Sequence, residues 1–348
     1  MAIDKIEIEA FLDLRKRMPV LDVRSPSEYA HAHVPGASSL PIFSDEERKI
    51  IGTAYKQESR ETAIRLGLQY FGPRMLSLVD EVRALLKSRK SESDEVAVHC
   101  WRGGMRSAAV AWLLDLYGFK VYLLQGGYKT FRHCMIEQFE RALSLKIVGG
   151  YTGSNKTGLL LLMKKKGMNV IDLEGLAGHM GSAFGNLDMI PQPSQEMFEN
   201  LLGTELLKFS DSEAIWVEGE SQRIGLVNIP QSFFLCMRRS PVYFLNIPFD
   251  ERIKHILTIY GKGSREKIMN ATVRLQKRLG GLETKNAVNA LLEDDLEGCF
   301  RILLHYYDRL YLKSTMSATE GEREIVNVDS PVTDENKNYN LLMQHGRD

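Results

Sequence analysis

The sequence predicts an α/β protein of two successive domains, the second closing in a helical C-terminal part. Three observations carry that prediction. The 348 residues exceed what one ordinary core serves. Glu95 to Val98 is a short apolar run fit for a buried parallel strand, and a tight loop joins it to an apolar helix pattern from Ala108 to Leu114. Leu145 to Gly150 repeats the arrangement as a strand entering a glycine turn, with the apolar helix pattern resuming at Gly158. The boundaries read as 1–128 for the first domain with an insert at about 43–74, 129–144 for a helical connector, and 145–348 for the second domain.

Composition excludes several classes. Lys and Arg total 45, as do Asp and Glu, so no net charge advertises nucleic-acid binding, although a local basic face is compatible with it. The cysteines at 100, 134, 236 and 299 are far apart and form no CxxC pair, which argues against a zinc site or a redox dithiol. Reduced thiols in a cytoplasm are the simplest reading. The charged start, Met1-Ala-Ile-Asp-Lys-Ile-Glu7, lacks a signal-peptide core, and no apolar run reaches membrane-spanning length. A cytoplasmic location without membrane partners is therefore expected.

In chain order, Val20 to Val23 reads as a strand with Asp22 and Arg24 at its carboxyl end. His31 and His33 beside the following turn read as solvated residues. The insert has mixed charge with scattered apolar positions, as short surface helices do. Then comes His99-Cys-Trp-Arg-Gly-Gly-Met-Arg-Ser107. Gly103 and Gly104 let the backbone turn its N–H groups inward, the next helix adds its positive end, and Arg102 and Arg106 add full charges. Such a nest suits a nucleophilic thiolate at Cys100. Residues 129–144 carry apolar positions at three- and four-residue spacing, with Cys134 as a packing residue.

The second domain opens on Gly150-Tyr-Thr-Gly-Ser-Asn-Lys-Thr157, which meets G-x-x-x-x-G-K-[ST] except at Asn155, where the second glycine is expected. Gly150, Thr152, Gly153, Ser154 and Asn155 would cradle phosphates with backbone N–H groups. Lys156 would reach phosphate oxygens, and Thr157 would hold Mg²⁺. Asn tolerates the left-handed conformation that the position requires, though its side chain is bulkier than glycine's. Val170-Ile-Asp-Leu-Glu174 is a further strand-like run, leading into a small-residue loop that contains His179 and Ser182. Ile215 to Val217 is a strand ending in Glu218 and Glu220, which either position magnesium or pair with Arg223. From Phe249 to about Lys313 the pattern is helical and charged, and from Ser314 it reads as loosely ordered.

The strand bearing Asp22 and Arg24, the Cys100 loop and the closing Val121-Tyr-Leu-Leu-Gln-Gly-Gly-Tyr128 together resemble a rhodanese domain. The resemblance implies a small α/β domain whose cysteine carries sulfur or selenium as a persulfide-type adduct. The Cys-Trp-Arg-Gly-Gly-Met-Arg-Ser loop, the insert, Asp172-Leu-Glu-Gly-Leu-Ala, Gly181-Ser-Ala-Phe-Gly, Gln192-Pro-Ser-Gln and Val217-Glu-Gly-Glu-Ser resemble one such group, the tRNA 2-selenouridine synthases, in which a P-loop domain follows. The likeness spans nearly the whole chain and is weakest after about residue 260. Asn155 and Met180 depart from the family pattern, where a glycine and an arginine are expected.

What that resemblance implies is a two-stage transferase acting on 2-thiouridine at the wobble position of tRNAs for lysine, glutamate and glutamine. Geranyl diphosphate alkylates the sulfur, then selenophosphate supplies selenium and geranyl thiol leaves. Mg²⁺ is the implied metal, no tightly bound organic cofactor is expected, and a selenophosphate-producing enzyme is the expected protein partner. Cys100 would be the nucleophile, with Arg102 and Arg106 orienting selenophosphate. Three other readings stay open on the residues alone. One is a rhodanese-type sulfurtransferase. A second is a phosphatase, because Cys100 and Arg106 satisfy C-x5-R. The third is a degenerate binder without turnover, motivated by Asn155 and Met180.

Overall fold

The computed structural model describes residues 3–91, 93–179, 191–261, 264–316 and 323–345, with the side chains of 312–316 left aside. The chain divides into two units, Met1–Gln138 and Phe139–Asp348.

The first unit holds β1 (Asp4–Ile6), β2 (Val20–Asp22), β3 (Ser38–Ser39), β4 (Glu95–His99) and β5 (Lys120–Leu124). They form one parallel sheet in the order β1-β5-β4-β2-β3. Apart from Glu95, β2 and β4 are buried throughout, as befits strands covered on both faces. One covering helix, Met75–Ser88, buries Leu78, Val79, Val82 and Leu86, a single apolar stripe at helical spacing. Because neighbouring strands run parallel, their carboxyl ends lie side by side. Asp22 pairs in register with His99, and Val98 with Leu123. This register brings Arg24, Cys100 and the Gln125–Tyr128 turn to one edge.

In the insert, helices span Asp45–Gln57 and Arg60–Phe71. Ser44 and Glu47 close a capping box on the first, and Ser59 caps the second by accepting from the Thr62 N–H. The first helix also grips the short helix Pro26–His31 that follows β2, since Asp45 accepts from the Ser27 N–H.

The connector expected at 129–144 is not a separate element. A helix begins earlier, at Gly127, runs to Glu137 and buries Tyr128, Phe131 and Met135 in the first unit. A 3₁₀ turn, Gln138–Glu140, then leads to the second sheet.

The second unit contains β6 (Ser144–Gly150), β7 (Val170–Ile171), β8 (Ala214–Glu218), β9 (Arg223–Ile224), β10 (Val227–Asn228), β11 (Val242–Asn246) and β12 (Ile325–Asp329). Five of these form a parallel sheet in the order β12-β11-β6-β8-β7, while β9 and β10 pair antiparallel. Since β6 lies between β8 and β11, the strand order changes direction at its carboxyl end, the place where open α/β sheets bind ligands. Helices from Phe249 to Met316 build their own core around Ile253, Ile268, Cys299 and Leu303.

The expectation of a loosely ordered tail from Ser314 is overturned. Ile325–Asp329 adds β12 beside β11, and helix Glu335–His345 sends Leu342 into the cluster of Leu159, Leu160 and Val328. In β12 Val326 is half-buried and Val328 buried while Ile325, Asn327 and Asp329 are exposed, the alternation of a strand over five residues.

Candidate functional site

In the first unit the loop 100–104 joins β4 to helix Met105–Tyr117. Backbone bonds pin it to the turn after β5: the Tyr128 N–H donates to the Cys100 carbonyl at 2.8 Å and the Lys129 N–H to that of Trp101 at 3.0 Å. Gly103, at φ +63°, lies so close to this turn that a Cβ would stand 2.8 Å from the Leu124 carbonyl oxygen, so only glycine fits. Cys100 is buried, and its Sγ lies 3.1 Å from Ser107 Oγ, which also reaches the Gly104 carbonyl at 3.2 Å.

Asp22 and Arg24 stand beneath the loop as a fully buried pair. Arg24 donates to both Asp22 oxygens and to the Ala32 carbonyl, and its guanidinium lies 3.9 Å from the Tyr128 ring centroid. Burial pushes the Asp22 carboxyl up, but the charges and bonds of His99 and Arg24 outweigh it and hold it below its ordinary value. Burial drives His99 below its ordinary value against the pull of Asp22, so the guanidinium of Arg24 is the standing partner.

The two loop arginines, expected to act together, differ in position. Arg102 is exposed. Arg106 is engaged with Glu28, at 2.6 Å and 3.3 Å, which leaves Arg102 as the loop cation open to an incoming anion. Burial pushes Glu28 up, yet Arg106, the Ser25 N–H and Arg48 bring it below its usual value. The same engagement deprives the C-x5-R reading of its clamp.

In the second unit, residues 151–155 turn from β6 into helix Lys156–Lys165. Asn155 adopts φ 58° and ψ 39°, the left-handed geometry that a glycine would supply. Its side-chain amide donates to the Thr333 carbonyl at 3.1 Å and to Glu335 at 3.4 Å, so the position ties the loop to the C-terminal segment. Lys156 Nζ donates to the Gly150 carbonyl at 2.9 Å, and the Thr157 hydroxyl to Glu174 at 2.9 Å. The Glu174 N–H in turn donates to Glu218 at 2.6 Å. Arg223 does not pair with the acids; its Nε donates to the Gly225 carbonyl.

These carboxylates share little positive charge. Burial pushes Glu218 well above the ordinary range, and Asp172 and Glu174 push it further. Burial and then Glu174 raise Glu220, while burial raises Glu174 against the Lys156 charge. One Glu218 oxygen and the Ser154 hydroxyl are buried without a hydrogen-bond partner, as is His179 Nδ1. Orphaned polar atoms of this kind mark a place where a ligand completes the bonding. The donors fit Mg²⁺, which takes hard oxygens and fills its shell with phosphate oxygens and water. Among the described residues no cluster of three or more His, Cys, Asp or Glu could hold a metal alone, so a Mg²⁺ at Thr157 and Glu218 would need further oxygens from a ligand or water. Ser182 and Met180 lie outside the described residues.

Beside the loop and the acids opens a cavity of about 1390 Å³. Gly150, Thr152, Gly153, Ser154, Asn155, Lys156 and Thr157 line one part together with Glu174, His179, Glu218 and Arg223. Much of the remaining wall is apolar and aromatic, with Phe234, Phe244, Ile256, Phe300, Leu304, Tyr307 and Tyr311 among its members, and Arg238, His255, Arg278 and Arg323 also line it. Sequence reasoning missed this wall. The available signal was the helix Leu296–Met316, whose apolar positions at 299, 300, 303, 304, 306, 307, 310 and 311 wrap too far round for one core stripe. It missed Arg252 as well. That buried guanidinium donates to the Thr152 carbonyl at 3.1 Å and to both Asp308 oxygens, so the helical part holds the loop in place.

Comparison with known proteins matches both units. Residues 7–134 fit the profile of the rhodanese-like domain, and residues 143–330 that of the tRNA 2-selenouridine synthase AAA domain. The tRNA 2-selenouridine synthase of Bdellovibrio bacteriovorus is 34% identical over 347 residues, covering 86% of this chain and 89% of that protein. Those of Marinobacter nauticus and Hydrogenovibrio crunogenus are 33% and 32% identical, covering 84% and 85% of this chain and 87% and 89% of theirs. Family, coverage and the two loops agree, and the chain belongs to the tRNA 2-selenouridine synthase family of tRNA-modifying enzymes.

Proposed function

We propose that the two units divide a two-stage replacement of sulfur by selenium at a tRNA wobble uridine, in tRNAs for lysine, glutamate and glutamine. In the first stage the 2-thiouridine sulfur attacks the carbon that bears the diphosphate of geranyl diphosphate. A carbon–sulfur bond forms, the carbon–oxygen bond breaks, and pyrophosphate and a proton leave. In the second stage the Cys100 sulfur attacks the phosphorus of selenophosphate, a sulfur–phosphorus bond forms and the selenium–phosphorus bond breaks to release selenide. The selenide bonds to the same base carbon, geranyl thiol departs with a proton, and water cleaves the sulfur–phosphorus bond to give phosphate and the free thiol. The observation that carries this reading is the cavity in which a phosphate loop and an aromatic wall meet. A diphosphate needs the first surface and a branched apolar chain needs the second.

The residues suit these tasks. Backbone N–H groups at the start of helix Lys156–Lys165, with the Lys156 ammonium, stabilise charge as it develops on the departing pyrophosphate. The rings of Phe244, Phe300, Tyr307 and Tyr311 exclude water from the allylic carbon, and their π faces favour positive charge there. Mg²⁺, when bound through Thr157 and Glu218, supplies further neutralisation of the diphosphate. In the first unit Cys100 is the nucleophile that opens selenophosphate, Ser107 lies beside its sulfur, and Arg102 attracts selenophosphate. A selenophosphate-producing enzyme is the natural donor partner. A cytoplasmic setting fits the four free cysteines and the absence, among the described residues, of a helix long and apolar enough to cross a membrane.

Mass analysis of tRNA nucleosides tests this reading. Purified protein is incubated with 2-thiouridine tRNA, Mg²⁺ and geranyl diphosphate, with and without selenophosphate. The expected result is a geranylated nucleoside alone, converted to 2-selenouridine once selenophosphate is present. No new nucleoside, with an active relative working alongside, overturns it.

A further inference from the structure

Trp101 follows the nucleophile directly, and a core role does not account for its placement. Its indole is 38% exposed, although the loop around it is tightly bonded. Tyr55, Trp112 and Tyr117 are also exposed in this unit, but Trp101 alone of these lies on the Cys100 loop. It rests on a built column. The Tyr128 ring lies 5.6 Å from it, the Arg24 guanidinium 3.9 Å from the Tyr128 ring, and Asp22 holds Arg24 by a bidentate bond. Arg24 also lies 5.9 Å from the indole itself. The column fixes an exposed aromatic face, so little entropy is lost when a flat partner covers it.

We propose that Trp101 is the stacking platform for the target nucleobase during selenium transfer. The proposal rests on the reading of Cys100 as the residue that frees selenide from selenophosphate. A buried chalcogen can reach the base carbon only if the uridine leaves the anticodon stack, and an unstacked RNA base recovers its stacking on an aromatic side chain. Trp101 offers that surface one residue from Cys100, and exposed Arg102 stands next to it for the backbone phosphate. The pair supplies the aromatic-plus-cation recognition used for single-stranded nucleic acid, which explains how a chain with no net charge finds RNA.

The test uses the full-length protein and an anticodon stem-loop RNA carrying S-geranyl-2-thiouridine at the wobble position. Selenation kinetics are measured for wild type, W101A, W101L, W101F and C100S. Stacking is made in ground state and transition state alike, so the account predicts a KM rise of about tenfold or more in W101A and W101L, with kcat within about threefold. W101F, which keeps a π face, stays within about threefold of wild type. The stem-loop quenches tryptophan fluorescence in wild type, and W101F loses that quenching. Alkylation of Cys100 by iodoacetamide reports loop integrity. Where W101A alters it, the contrast between W101L and W101F carries the test. An unchanged KM in W101A and W101L, with C100S inactive, overturns the platform while leaving the role of Cys100 intact. Selenation by C100S overturns both.

Discussion

The cysteine loop and the phosphate loop both follow a buried parallel strand and open a helix, yet charge is arranged around them in opposite ways. Near Cys100 each buried or half-buried anion has its own arginine: Asp22 has Arg24, and Glu28 has Arg106. Near Lys156 three glutamates crowd together, with orphaned oxygens on Ser154 and Glu218. In the first site the buried charges are paired within the protein, although the His99 ring nitrogens lack hydrogen-bond partners. The second carries a surplus of carboxyl groups, which stay uncharged through their raised pKa values or take up a cation.

The comparison breaks most sharply on Lys156. K156A removes the one ammonium among the acids and should slow geranylation by about a hundredfold. Selenation of RNA that is already geranylated should persist, and equal loss of both stages would erase the division between the units. Next comes the buried pair under the cysteine loop. R24L leaves Asp22 buried and uncompensated and should destabilise the first unit by about 3–5 kcal/mol, read as a lowered midpoint in urea.

The pH responses should run in opposite directions. Asp22 and Glu28 are held below their unfolded values, so their stabilisation is present above the ordinary carboxylate range and is lost as pH falls through their folded values. Glu174, Glu218 and Glu220 are raised, so the ligand-free second unit should lose stability as pH climbs above the ordinary value of 4.5. Thermal unfolding of the protein between pH 3 and pH 8, about the range these shifts span, should show one transition weakening in acid and the other on the neutral side. Two transitions that move in parallel would contradict this. The smallest effect is expected from N155G. Glycine adopts the same left-handed geometry freely but loses the bond to Thr333, so the change should stay within about 1 kcal/mol and geranylation should persist.

The features legible in the sequence were local. The Cys100 loop, the lysine loop and the strands leading into them each lie within about ten residues of chain, where periodicity and turn chemistry decide the outcome. Asn155 was readable for the same reason, since its left-handed backbone is a property of the residue itself. The pairing of Arg106 with Glu28 bridges 78 positions, so the sequence left both loop arginines open to the substrate. The aromatic wall gathers residues from 234 to 311, each of which reads alone as ordinary core. β12 alternates over only five residues, with one of them fully buried, so its strand pattern is short.

The division of labour between the loops is tested most directly by C100S in the nucleoside assay, with 2-thiouridine tRNA, geranyl diphosphate, Mg²⁺ and selenophosphate all present. The account predicts that S-geranyl-2-thiouridine accumulates at the wild-type rate and that no 2-selenouridine forms. Appearance of 2-selenouridine, or failure to form the geranylated nucleoside, would contradict it.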